Sequence, residues 1–278
     1  MTGKIAFDPV RLPAEAEALR IEVRDFLRDE IQAGNYRPHV GDGFDRAFSC
    51  KVGAKGWIGM TWPKKYGGQQ RSHLERYVVT EEFLVAGAPT KAHFTADRQS
   101  GPVLLKYASE SLKRTILPSI TRGECSFAIG MSEPDSGSDL FAAKTRADKC
   151  DQGWRINGRK VWTSFAHHAD YMIALLRTSD ATKENRRHGL TQFLVDMKTP
   201  GITVSPIINS AGQHDFNEVI FEDVILSEDR VLGDVDMAWK QATAELAFER
   251  SGPERFLENI YVLTELIRVL GPQPDQRG

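Results

Sequence analysis

Two short segments hold the residue types best suited to chemistry. The first is Ser132-Glu133-Pro134-Asp135-Ser136-Gly137-Ser138-Asp139, and the second is Lys160-Val161-Trp162-Thr163-Ser164. A loop of small residues lets backbone amides approach a flat polar ligand closely, because no Cβ stands in the way. A tryptophan beside hydroxyl donors offers a broad apolar face with hydrogen-bonding groups at its edge. Together these features suit a planar heteroaromatic cofactor. Taken singly, each segment also fits a surface turn or a core tryptophan. The two in this order, and close together, favour the cofactor.

The other chemically suggestive groups carry less. His214-Asp215 has the residue types of an acid–base pair, but neighbours along a strand point to opposite faces; the segment reads as a structural turn. His167-His168 has no third ligand at a useful spacing, so no metal site is expected. Arg98 and Lys106 are candidates for phosphate contact only in being basic. No Walker loop and no G-x-G-x-x-G occurs, which argues against a nucleotide bound on a Rossmann fold.

The elements that must position these residues fall into three stretches. Residues 14–31 carry apolar side chains at helical spacing and end at Gly34-Asn35. Residues 45–55 form a shorter helix candidate, and Ser72-His73-Leu74-Glu75 opens a third helix with a capping-box pattern. Leu104-Leu105 and Ile116-Leu117 mark two more. From Cys125 the pattern changes to short alternating runs: 171–176, 191–195, 202–207 and 218–221, with Asn157-Gly158 as a hairpin signal. After Asp234 a helical pattern resumes and runs, with one interruption, to Leu270, ahead of a loop at 271–278. The expected fold is α+β and multidomain: a helical domain over 1–123, an antiparallel β-barrel or sandwich over 124–233, and the first helix of a further helical domain over 234–278.

Composition sets the outer bounds. The chain has 278 residues, 41% of them hydrophobic and 27% charged, with a formal charge of −2. That gives no electrostatic case for nucleic acid or an anionic membrane. No apolar run is long enough to cross a bilayer, and the N-terminus lacks both a signal core and the acid-poor character of a transit peptide. The three cysteines, Cys50, Cys125 and Cys150, read as reduced packing residues, and the expected location is cytoplasmic.

The two segments closely resemble the T/S-E-P-x-x-G-S-D loop and the G-x-K-x-W-[TI]-[ST] strand of the acyl-CoA dehydrogenase family. The order of helical, β and helical stretches resembles that family too, over nearly the whole chain. The resemblance implies FAD as cofactor. It assigns Met131, Ser132, Gly137, Ser138, Trp162 and Ser164 to flavin contact, with Ser138 also near the substrate. Phe165 departs from the family, where Asn or Gly is common, and reshapes the edge of the pocket. The implied reaction is α,β-dehydrogenation of an acyl-CoA thioester, with hydride passing to flavin N5 and electrons going on to an electron-transfer flavoprotein.

The segment Leu246-Ala247-Phe248-Glu249-Arg250 resembles the L-x-x-E-R of relatives that carry the catalytic glutamate early. This makes Glu249 the expected α-proton base, with Arg250 as a substrate-side candidate. Glu245, one helical turn earlier, disfavours ionisation of both acids. Pro253 removes the hydrogen bond to the Glu249 carbonyl and kinks the helix there. The run from Glu249 to Phe256 resembles relatives that accept bulky acyl groups, steroid side chains included. Against the family, the chain stops after the first helix of the last domain. The alternative is therefore a non-catalytic or incomplete subunit of a homo- or hetero-oligomer, completed by another chain.

Overall fold

The computed structural model describes residues 11–181, 185, 187–243 and 252–271. In chain order the helices are α1 (Ala14–Gln32), α2 (Arg46–Ala54), α3 (His73–Val85), α4 (Lys91–Thr95), α5 (Gly101–Tyr107), α6 (Glu110–Thr121), α7 (Glu254–Leu257) and α8 (Ile260–Leu270). The strands are β1 (Phe127–Gly130), β2 (Arg146–Cys150), β3 (Gly153–Ser164), β4 (Tyr171–Arg177), β5 (Leu190–Asp196), β6 (Ile202–Ile207), β7 (Phe216–Leu226) and β8 (Val231–Leu232). They fall into two compact units: Met1–Pro38, Arg71–Ala88 and Pro253–Gly278 form one, and His39–Gln70 and Pro89–Gly252 the other.

In the first unit α1 packs against α3. Ala16, Leu19, Val23 and Leu27 recur at three- and four-residue spacing and are the buried positions of α1. Glu15 and Glu17 sit in its first turn, where carboxylates complement the helix dipole. Gly34, at φ 73°, takes the left-handed turn that ends it. The capping box of α3 is formed: Ser72 Oγ accepts from the Glu75 amide at 3.2 Å, and Glu75 Oε2 accepts from the Ser72 amide at 2.8 Å. α8 exposes a run of large apolar side chains, Val262, Leu263, Leu266, Ile267, Val269 and Leu270.

The second unit is built on one sheet in the order β6-β7-β3-β2-β4-β5-β8, with β1 added parallel to β4. β2 also meets β4 in parallel at Arg146 and Arg177; the remaining pairings are antiparallel. β4 and β5 are almost continuously buried, as strands covered on both faces must be. Their side chains join those of β3 and β7 in a core that includes Trp154, Ile156, Met172, Phe193, Val219 and Phe221.

Asn157-Gly158 is not the hairpin turn its sequence suggests. β3 runs straight through it, and the β2–β3 turn lies at Asp151-Gln152, before Gly153 at φ 123°. The pair instead serves a register shift against β7. Asn157 exchanges two side-chain hydrogen bonds with Asp223, which sits at φ 50°. A Cβ on Gly158 would come within 2.8 Å of Thr145 Cα. Cross-strand pairing on both sides of β3 outweighs the local turn preference.

Past β8, helical structure covers 239–243 and resumes at α7, with Pro253 as the residue that opens it. Glu245, Glu249 and Arg250 lie outside the described residues.

Candidate functional site

The 132–139 loop follows β1, and its shape comes from one buried ion pair. Lys160, on β3, is fully buried and reaches across to Glu133, with Nζ donating to Glu133 Oε1 at 2.8 Å and to the Met131 carbonyl at 3.1 Å. Glu133 also accepts from the backbone amides of Lys144 at 2.6 Å and Thr145 at 3.0 Å. Burial pushes the Glu133 carboxyl up, but the Lys160 charge and these donors outweigh it and hold the group below the usual carboxylate range. Burial is also the largest influence on Lys160 and lowers its ammonium, with Glu133 opposing. The loop then closes on itself through reciprocal backbone bonds between Glu133 and Ser136, and Ser136 Oγ donates to the Asp139 carbonyl.

Sequence reading gave neither charged residue a role. A signal was available: Trp154, Ile156 and Lys160 share one parity along β3, and a lysine on a core-facing position requires a carboxylate partner.

β3 departs from regularity beside this loop. Its register against β7 shifts between Lys160 and Thr163, and Trp162 takes φ 58°. This bulge turns the indole outward, leaving it 59% exposed, while Thr163 on the next position is buried. Ser164 follows on the exposed side. The Trp162 ring is braced edge-on by Phe216, with centroids 6.1 Å apart. The Val161 amide donates to the Ser132 carbonyl at 2.9 Å, so the bulge and the loop are tied directly. Among the described residues the buried Thr163 hydroxyl has no hydrogen-bond partner, a cost of the kind that collects at functional sites.

The residues singled out from sequence therefore occupy one region, at differing depths. Trp162, Ser164, Gly137 and Ser138 are exposed and Ser132 is half-buried. Met131 is buried with Ala143, Leu175, Leu190, Ala238 and Ala242. Gly137 has open space where a Cβ would project, and its φ is not in the left-handed range. Neither backbone strain nor a close neighbour demands glycine there among the described residues. An exposed indole face, serine hydroxyls on the adjoining loop and strand, and an open glycine fit a flavin. Phe165 takes φ 51°, a conformation that Asn or Gly adopts more easily; its ring lies under Lys91 Nζ at 4.9 Å.

The weaker candidates are placed as well. Arg98 is buried, and the exposed Lys106 lies over the Tyr107 ring at 5.2 Å. The three cysteines are free, and burial pushes the Cys125 thiol up to about 12. Among the described residues no group of His, Cys, Asp or Glu could hold a metal ion, and no helix is long and apolar enough to cross a membrane.

Comparison with known proteins matches residues 13–124 to the acyl-CoA dehydrogenase N-terminal domain and residues 128–224 to its middle domain. The chain belongs to the acyl-CoA dehydrogenase family. This is a family of FAD-dependent oxidoreductases, and the family's helical, β and helical order is the one observed. Acyl-CoA dehydrogenase IpdE1 of Mycobacterium tuberculosis is 34% identical over 247 residues, covering 85% of this chain and 63% of that protein. Among solved structures, the Tcur3481-Tcur3483 steroid ACAD matches at 32% identity with a TM-score of 0.82, over 96% of this chain and 71% of that one. The ChsE4-ChsE5 complex from Mycobacterium tuberculosis matches at 28% identity and 0.79, over 98% and 69%. The chain thus spans less than two thirds of the length of that curated relative.

Proposed function

We propose that this acyl-CoA dehydrogenase family chain binds FAD against Trp162 and takes part in the α,β-dehydrogenation of an acyl-CoA thioester. The observation that carries the reading is the outward Trp162 indole, set on a bulge and tied through Val161 and Ser132 to the Gly137–Ser138 loop. An apolar ring that large, turned into solvent by a strained backbone, is explained by a flat partner. When bound, the flavin supplies the redox chemistry by accepting hydride at N5.

The chain's own residues supply the rest. Trp162 packs one face of the ring, Ser164 and Ser132 offer hydroxyls to its polar edge, and Gly137 with Ser138 allows close backbone approach. Met131 stiffens the floor. Glu249 is assigned as the base that takes the α-proton, on the strength of its Leu246–Arg250 segment, with Arg250 and Ser138 on the substrate side. Electron-transfer flavoprotein is the expected acceptor in a cytoplasmic, β-oxidation-type step. The steroid ACAD among the similar structures makes bulky acyl groups the first to try.

The test is Glu249→Gln. It should leave FAD binding and folding intact while abolishing flavin bleaching by a panel of acyl-CoAs; unchanged bleaching removes Glu249 from the reading.

One observation favours the second reading, a subunit that works in a hetero-oligomer: the apolar residues exposed along α8. Two of the similar structures are named as pairs of gene products. A stable, non-aggregating monomer by light scattering would count against it.

A further inference from the structure

Asn217, at the start of β7, is fully buried and makes three side-chain contacts. Its Nδ2 donates to the Thr163 carbonyl at 3.0 Å. A carbonyl only accepts, so this bond fixes which end of the amide faces β3 and turns Oδ1 the other way. Oδ1 meets His167 Nδ1 at 3.1 Å and His214 Nε2 at 2.7 Å. An amide oxygen also only accepts, so both imidazole nitrogens carry protons. His167 is thereby the Nδ1–H form and His214 the Nε2–H form when neutral.

The two rings stack with centroids 3.8 Å apart at 16°, His168 lies 4.0 Å beyond His167, and Phe44 lies 4.3 Å beyond His168. The column thus ends on a buried amide whose other end grips the residue between Trp162 and Ser164. Among the described residues no His, Cys, Asp or Glu group could hold a metal ion, and two of the three imidazoles share the single Asn217 acceptor.

We infer that Asn217, held by His167 and His214, is a positioning residue that sets the Thr163 backbone and so aims Trp162 and Ser164 at the flavin. The inference rests on the flavin reading for what Trp162 contacts, but its geometric half stands without it. Thr163 has ladder pairing to Asn217 beside the bulge, and among the described residues its own hydroxyl has no hydrogen-bond partner. Its carbonyl bond to Asn217 is therefore a side-chain fixture at the first pair where the ladder resumes after the register shift. Removing the Nδ2 donor frees the carbonyl, and the bulge relaxes toward regular strand, drawing the indole with it.

The experiment uses Asn217→Asp, which keeps the shape and the acceptor oxygens but loses the donor to Thr163. Two His167 variants accompany it: His167→Phe keeps a stacked ring and loses the N–H, while His167→Gln keeps an N–H donor. The first readout is acrylamide quenching of Trp162 emission in protein without FAD, isolated by difference from the Trp162→Phe background. The second is FAD affinity by absorbance titration. Asn217→Asp and His167→Phe should change Trp162 quenching and weaken FAD binding about tenfold, the effect of losing one hydrogen bond of about 1.4 kcal/mol; His167→Gln should restore both. If the folded Asn217→Asp protein leaves both readouts at wild-type values, the inference is overturned. Should that variant not fold, equal behaviour of His167→Phe and His167→Gln overturns it instead. A wild-type chain that takes up no FAD, with quenching still altered by Asn217→Asp, would sink the flavin reading and leave the positioning role in place.

Discussion

On one side of Trp162 the backbone is supported by a buried charge pair, Lys160 with Glu133; on the other it is supported by a neutral amide and two imidazoles. Both supports end on backbone groups of the same small surface. The charge pair fixes the 132–139 loop from below through the Met131 carbonyl and the Lys144 and Thr145 amides. The amide cluster fixes the Thr163 carbonyl from beside. A buried ion pair is costly to break because the survivor stays charged and unpaired. A hydrogen-bonded amide loses about one bond when cut, and the remainder relaxes. The loop floor should therefore be rigid and intolerant, and the bulge adjustable.

The largest effect should come from breaking the charge pair. Lys160→Met leaves the Glu133 carboxylate buried with two amide donors only, and should cost about 3–5 kcal/mol in denaturant unfolding. The double variant Lys160→Met with Glu133→Leu should recover a large part of that loss. A single variant within about 1 kcal/mol of wild type would erase the contrast between the two supports.

Acid should separate the supports by pH. His167 is held below the usual imidazole value by burial first, then by His168 and His214, while Asp42 and the Asn217 bond oppose. A lowered imidazole binds protons more readily when unfolded, so its contribution is complete above about pH 6.5 and declines as pH falls below that. Arg46 and Asp42 act on His168 in the same column, and Asp215 lies next to His214 and accepts from Asn209. Glu133 is also lowered, so its contribution is complete above about pH 4.5 and is lost only in stronger acid.

His93 complicates any global measurement. It is buried, its Nδ1 lies 2.8 Å from a Ser49 hydroxyl already donating to the Asp45 carbonyl, and burial drives it down to about 4. It should remove on the order of 3 kcal/mol of stability as pH falls from about 6.5 to 4. Global unfolding should thus weaken in that window in wild type, and much less in a His93→Gln variant that folds. The local split is read from Trp162 quenching, which should change as pH falls below about 6.5, ahead of any change in loop amide exchange. Simultaneous change in both would contradict separate supports.

The smallest effect belongs to Phe165. Its left-handed backbone costs about 1 kcal/mol relative to a residue suited to it. Its ring contacts with Phe44 and Lys91 offset that. Phe165→Asn should shift unfolding by less than about 1 kcal/mol; a loss above about 2 would make the ring part of the packing that holds the bulge.

What could be read from sequence was mostly what is local. α1 and the Ser72–Glu75 box follow from spacing and capping chemistry within a few residues, and β6 occupies the stretch expected for it. Asn157-Gly158 misled because a two-residue turn preference lost to pairing along both edges of β3. The motif residues were recognisable by type, yet the bulge that exposes Trp162 depends on register against β7, which no neighbour in sequence sets. The Asn217 cluster escaped for the same reason: His167 and His214 meet only because the turn after β3 and the loop before β7 converge. Glu249 and Arg250 stand on their motif, outside the described residues.

The most direct measurement is equilibrium FAD binding to this chain and to Trp162→Ala, with thermal unfolding of both without FAD. Trp162 is mostly exposed, so unfolding should move by no more than about 0.5 kcal/mol. Loss of one aromatic stacking face should weaken FAD by roughly 5- to 150-fold, or about 1–3 kcal/mol. Equal affinity for both proteins, or no FAD uptake by wild type, would contradict the assignment of this surface to the flavin.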